Sequence, residues 1–240
     1  MQIIRDEALV GRRKKVGNIA SLLGIAIILG GMIFTWVAPG RDVSAQLLIY
    51  VPLLTLLVGF IVSSIGMYYV NRWGRSPRPD EVLDRSLKGL SRGYKLYHYA
   101  LPAPHVLLTP GGPMVLVAKF EGGEFTVEDD KWRQRFSAMR VLGFMGREGL
   151  GNPSKDADYL VERMRRYLEE NEPELGEVPV SAAIVFTAEK VVLNVGETRI
   201  PVLRAAKLKG YLRSQADKPL PQETQQRLET LFDAAAGLAD

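Results

Sequence analysis

Lys131-Trp132-Arg133-Gln134-Arg135 interleaves three cations with an indole. Single-strand nucleic-acid binders use that combination to hold phosphates and stack bases. Glu128-Asp129-Asp130 stands immediately before it, so the stretch also reads as a solvated polar turn. Gly111-Gly112 would cradle a phosphate only if a helix began there. An apolar run, Met114 to Phe120, follows instead, and the pair reads as a turn. His105 precedes an apolar strand and reads as a core or turn histidine rather than a ligand. With His98 it completes the histidine inventory of this 240-residue chain, which has no cysteine. A thiolate nucleophile, a disulfide framework and a Cys-containing zinc site are therefore excluded, and two imidazoles are too few for a His-rich metal centre.

The elements that must hold any chemistry begin after Ser76-Pro77-Arg78-Pro79, a stiff, non-helical segment because each Pro also restricts the residue before it. Asp80 is placed to cap a helix carrying Val82, Leu83, Leu87 and Leu90 largely on one face, with Gly93 ending it. Tyr94 to Ala100, His105 to Thr109, Met114 to Phe120 and Glu124 to Glu128 are short strand-like runs separated by Gly and Pro turns, a meander of three or four strands. Ser154 to Glu170 is amphipathic at helical spacing, with Ala157, Leu160, Val161, Met164 and Leu168 on one side. Asp158, Glu162, Arg163, Arg165, Arg166 and Glu169 fall opposite, most simply a solvated face. Strands follow at 179–186, 191–195 and 198–203, then helices at 205–213 and 221–238. This order predicts an α/β domain on a mixed sheet.

Charge divides the chain after Pro79. Residues 1–79 hold nine of the 31 basic and three of the 27 acidic residues, leaving 22 against 24 for residues 80–240. The later part, at −2, lacks the excess of cations that neutralises nucleic-acid phosphates. Val16 to Val37 is a run of 22 uncharged residues, and Val43 to Asn71 is another. Twenty-two helical residues reach about 33 Å, enough for a hydrocarbon core of about 30 Å. Ala38-Pro39-Gly40-Arg41-Asp42 is a turn suited to water. The expectation is a transmembrane hairpin in residues 1–79, with spans at about 16–37 and 45–70, and a separate domain at 80–240. Arg12-Arg13-Lys14-Lys15 before the first span, and Arg72, Arg75 and Arg78 after the second, put both termini in the cytoplasm by the positive-inside rule. Gly59 with Ser63, and Ala26 with Gly30, are spaced for close helix approach. The spans contain no ionisable residue, so the hairpin reads as an anchor in the cell membrane.

The stretch from Glu81 to about Phe186 resembles the nuclease-related domain (NERD) family of bacteria. The residues carrying the resemblance are Glu81, the run His105-Val106-Leu107-Leu108-Thr109-Pro110-Gly111-Gly112, Val115 to Lys119, Gly122-Gly123, Trp132, and Asn152-Pro153 opening a helix. The resemblance implies a restriction-endonuclease-like α/β core and divalent-metal-dependent phosphodiester cleavage. Such chemistry needs hard oxygen ligands on Mg²⁺ and a lysine that orients water or stabilises developing charge. Position by position, Lys119 matches the family's strand lysine and Glu81 its opening-helix acid. The two metal-holding acids fall at Pro104 and Val117, which carry no side-chain oxygen, and the family's helix Gln falls at Asp156.

Glu121, Glu124 and Asp156 are the possible substitutes; Glu121 would share a strand face with Lys119 if the strand ran on. Lys119 alternatively reaches water or pairs with Glu81. The leading expectation is a membrane-anchored protein with a catalytically degenerate NERD-like domain that binds or interacts with a protein partner through the helix at 154–170, without a cofactor. A divergent Mg²⁺-dependent nuclease using Glu81, Glu121 and Lys119 is one alternative. A membrane-associated structural scaffold is the other.

Overall fold

The computed structural model describes residues 1–41, 43–135, 150–215 and 219–238. The chain forms two compact units. One is a helical hairpin over Glu7–Arg78, and the other an α/β unit built from Met1–Asp6 together with the described residues from Pro79 onward.

In the hairpin, helix α1 spans Glu7–Val37 and helix α2 spans Ala45–Tyr69, joined through a 3₁₀ turn at Ala38–Gly40. Both are long and apolar enough to cross a membrane. Helix α1 starts nine residues ahead of the expected span, because Glu7 to Lys15 contains no Pro and only Gly11 as a weak helix former. The basic tetrad is thus a charged extension of the same helix. Leu22, Ile33 and Leu53 are each at least 60% exposed. A surface so apolar is unusual unless something apolar covers it.

What the two helices bury against each other is glycine. Gly17, Gly24 and Gly31 of α1 and Gly59 and Gly66 of α2 are the buried small residues, each series stepping by seven. A Cβ on Gly31 would meet the Thr55 side chain, one on Gly24 would meet Ser63, and one on Gly17 would meet Tyr69 and Val70. The partner number falls as the α1 number rises, an antiparallel register. A repeat of seven keeps one seam facing the partner along both helices. The expected Gly59 and Ser63 pair lies in this seam; Ala26 and Gly30 are exposed, and nothing lies within 4 Å of a Cβ at Gly30.

The α/β unit contains a six-stranded sheet in the order β1-β2-β3-β4-β7-β9 and a three-stranded sheet in the order β6-β5-β8. The strands are β1 (Gln2–Arg5), β2 (Lys95–His98), β3 (His105–Thr109), β4 (Gly112–Lys119), β5 (Gly123–Glu128), β6 (Lys131–Gln134), β7 (Ser181–Phe186), β8 (Val191–Val195) and β9 (Val202–Arg204). The helices are α3 (Pro79–Leu87), α4 (Pro153–Asn171), α5 (Ala205–Ser214) and α6 (Gln222–Ala235). Strands β2, β3 and β4 form the expected antiparallel meander, and β7 joins β4 in parallel. A second small sheet replaces the single sheet expected from sequence. Asp129 and Asp130 both have positive φ, the two-residue turn that closes β5 onto β6.

Alternation along β4 sorts the core into two layers. Met114 and Leu116 pack with Leu83 and Leu87 of α3 and Leu208 of α5. Val115 and Val117 face the other way, with Met164 and Leu168 of α4 and Leu228 and Phe232 of α6.

The N-terminal residues depart most from expectation. Residues 1–79 were assigned to the hairpin and its basic lead-in, yet Gln2–Arg5 is an edge strand of the α/β unit. It runs parallel to β2, with Gln2 opposite Lys95 and Arg5 opposite His98. The Met1 ammonium donates to the Leu90 carbonyl at 3.3 Å, and the Asp6 amide to the His98 carbonyl at 3.1 Å. Parallel neighbours require a crossover. Here that crossover carries α3, and the whole hairpin is inserted ahead of it.

Candidate functional site

Lys119 ends β4 on the face shared with Val115 and Val117, so its ammonium is directed toward α4 rather than α3. Its Nζ lies 2.8 Å from Asp156 Oδ2 and 3.0 Å from the Leu150 carbonyl oxygen. Asp156 stands in the first turn of α4, whose start is fixed by Pro153 and by the Asn152 side chain accepting from the Lys155 amide at 3.1 Å. The lysine side chain is 14% exposed and the aspartate 50%. The pair is thus a strand-to-helix tie, screened on its aspartate side by solvent.

Glu81 is not part of this pair. It lies in the first turn of α3, which packs on the opposite layer of the sheet. Glu121 follows the end of β4 in the connection to β5, and Glu124 opens β5. The Arg135 guanidinium donates to Glu124 at 2.9 Å and holds its carboxyl below the usual range, with Asn194 adding a bond at 3.3 Å. Val117 is buried in the core beside α4. The Pro104 carbonyl accepts from the Tyr99 amide at 2.8 Å. Among the described residues, no three His, Asp or Glu side chains gather where they would hold a cation. The side chains of the described residues therefore do not fit the Mg²⁺ site that the resemblance implies.

Trp132 has a structural job. Its indole Nε1 donates to Ser154 Oγ at 2.9 Å, and its ring lies 6.0 Å from that of Phe186. Ser154 bonds in turn to Asp130 at 3.3 Å. Arg199 then joins Asp130, at 3.2 Å, to Asp158, which it grips through two bonds of 2.9 Å. Such fork geometry is specific to Arg, and it holds the Asp158 carboxyl below its ordinary range. The second sheet is tied to α4 through this chain.

The most concentrated buried charge was not expected from the sequence. Asp80, placed there as a helix cap, is fully buried; the helix instead begins at Pro79. Arg5 Nε lies 2.9 Å from Asp80 Oδ2, and Arg5 also pairs with Asp84. Asp84 Oδ1 is 2.9 Å from His98 Nε2, and His98 Nδ1 is 2.8 Å from His105 Nδ1. Tyr99, whose φ of 62° marks a tight reversal after β2, directs its hydroxyl to Asp80 at 3.4 Å. The spacing of Asp80 and Asp84, one helical turn apart beside Leu83 and Leu87, was the sequence signal. Its partner Arg5 lies across the whole hairpin insertion. The chain matches no protein-family model, no curated protein and no solved structure.

Proposed function

We propose that this chain is a membrane-anchored protein whose α/β unit is a NERD-like domain without a working metal site, serving on the cytoplasmic side as a binding or interaction module. The observation that carries the reading is the engagement of Lys119 by Asp156 and the Leu150 carbonyl, while Val117 packs in the core and Glu81 occupies the other layer. Among the described residues, a lysine tied in this way has no carboxylate pair beside it to fix a divalent ion and an attacking water. The order α3, β2, β3, β4, α4, β7 around a mixed sheet supports the restriction-endonuclease-like reading of the fold.

Two features support the anchor and its orientation. The helices of the hairpin expose apolar side chains along their length. Strand β1, before the hairpin, pairs with β2, after it, so both ends of the insertion leave from one sheet. The basic residues flanking the spans favour the cytoplasm for that side by the positive-inside rule. The exposed face of α4 is the surface offered to a partner protein. Tyr159 there is 62% exposed, with the Arg163 guanidinium 5.7 Å from its ring centre. An aromatic anchor beside a guanidinium is what interface hot spots are made of.

The test uses the full chain in detergent micelles with Mg²⁺ or Mn²⁺ and single- and double-stranded DNA and RNA. The expected result is no metal-dependent cleavage, in the wild type as in Lys119→Ala. Cleavage that requires the metal and disappears in Lys119→Ala would establish the nuclease alternative instead.

A further inference from the structure

The 22 basic and 24 acidic residues of positions 80–240 are unevenly placed. Residues 85–94 contain Arg85, Lys88 and Arg92 and no acid. Residues 204–215 contain Arg204, Lys207, Lys209 and Arg213, again with no acid. The fold brings these two stretches together. Leu87 at the end of α3 and Leu90 just beyond it share one core layer with Leu208 and Leu212 of α5. The Lys209 ammonium donates to the Lys88 carbonyl at 2.6 Å, a cation at the C-terminal end of α3. The other six cations are exposed.

The α4–α6 side is built differently. There Lys119 pairs with Asp156, Arg199 with Asp158, and Arg227 with Glu172 and Glu174. Among the described residues, none of the seven cations on the α3–α5 side forms an ion pair. Glu81 and Asp84 are the partly exposed acids of α3, and Asp84 already holds Arg5 and His98. Along α5, Ala205, Leu208 and Leu212 are buried, whereas Ala206 and Gly210 are exposed between Lys207 and Arg213. The outward crest of this helix is therefore low, with a cation on either side. Positive charge spread over two helices, rather than gathered in a pocket, suits a surface of many anions better than a single phosphate.

We propose that the α3–α5 face of the α/β unit docks on the anionic lipid headgroups of the membrane that the hairpin enters. The proposal rests on the anchor reading above. Helix α3 begins at Pro79, the residue after the hairpin ends, so an inserted hairpin keeps the unit at high local concentration beside lipid. A soluble polyanion has no such advantage. Each basic residue near an anionic leaflet strengthens association about fivefold, and the attraction fades within a Debye length of about 8–10 Å. Docking by this face turns α4, which packs on the other layer of the sheet, away from the bilayer and leaves it open to a partner protein.

The experiment places the full chain in nanodiscs of phosphatidylcholine, with or without phosphatidylglycerol. A fluorophore on Ala206→Cys reports contact with lipid through quenching by headgroup-spin-labelled phosphatidylcholine, and one on Arg165→Cys, exposed on α4, is the control. The Ala206→Cys label should be quenched in the anionic discs and released at about 1 M salt, where the Debye length falls to about 3 Å. Lys207→Gln/Arg213→Gln should lower its docked-to-undocked ratio about 25-fold. The Arg165→Cys label should stay unquenched throughout. Equal quenching in neutral and anionic discs, no loss in the double variant, or quenching at Arg165→Cys would each overturn the docking. Shielding of the Ala206→Cys label by added single-stranded RNA but not by phosphatidylglycerol would assign the face to nucleic acid and overturn it too. A chain that fails to enter the discs would remove the anchor and the docking that rests on it, a result distinct from an inserted chain whose label ignores phosphatidylglycerol.

Discussion

Arg5→Met is expected to remove about 3 kcal/mol from the stability of the α/β unit, because it takes a cation away from a buried carboxylate rather than trimming a surface contact. Asp80 has no exposed side-chain surface, and Arg5 is 16% exposed. Solvent therefore does not readily replace the guanidinium, and Asp84 loses an ion-pair partner together with it. In a chain of this size such a loss lowers the thermal midpoint by about 6–12 °C. The measurement is a thermal scan of the full chain in micelles at pH 7.5, alongside Arg5→Met/Asp80→Asn. The double variant removes both the cation and the charge it neutralises, and it should recover more than half of the loss. A midpoint unchanged in Arg5→Met would mean that β1 is dispensable to the sheet.

Gly24→Leu should be nearly as damaging to the hairpin. A Cβ at that position would lie 2.2 Å from Ser63 Oγ, 2.5 Å from the Ser63 amide nitrogen and 2.9 Å from the Gly59 carbonyl oxygen. Two of those three atoms are backbone, so no side-chain rotation relieves the contact and the helices must separate. Overpacking of this kind costs about 2–3 kcal/mol. Separation also forfeits the close backbone approach by which membrane helices associate. Gly30→Leu is the matched control, since nothing lies within 4 Å of a Cβ there. Reversible unfolding in mixed micelles titrated with dodecyl sulfate should therefore show a large shift for Gly24→Leu and one below about 0.5 kcal/mol for Gly30→Leu. Equal shifts would place the helix seam elsewhere.

Periodicity carried most of the α/β unit. The apolar spacing at 154–170 and the short runs at 105–109, 114–120, 179–186 and 191–195 became α4, β3, β4, β7 and β8, because alternation or helical repeat is the direct imprint of a half-buried face. Strand β1 left no such imprint. Gln-Ile-Ile-Arg is too short for a period, and its partner lies 93 residues away. The seam of the hairpin was half legible: Gly59 and Ser63 were found from a spacing of four, whereas the real repeat is seven and runs through Gly17, Gly24 and Gly31.

The candidate site was legible as residues but not as geometry. Lys119 was singled out, yet its partners Asp156 and Leu150 depend on where α4 begins against the sheet. Glu81 looked like a companion of Lys119 because nothing in a linear sequence says which layer a helix will join. Trp132 sits among cations in the sequence, but its neighbours in space are Ser154 and Phe186.

The absence of cysteine makes the central claim, a hairpin that leaves and re-enters a single sheet on one side of a membrane, directly testable. Single cysteines at Gln2, Ser44 and Ser91, all exposed positions, report on β1, the turn of the hairpin and the α/β unit in turn. In intact cells a membrane-impermeant maleimide should label Ser44→Cys alone, and Gln2→Cys and Ser91→Cys should react only after permeabilisation. Labelling of Gln2→Cys and Ser91→Cys from opposite sides, or of all three from one side, would contradict the account.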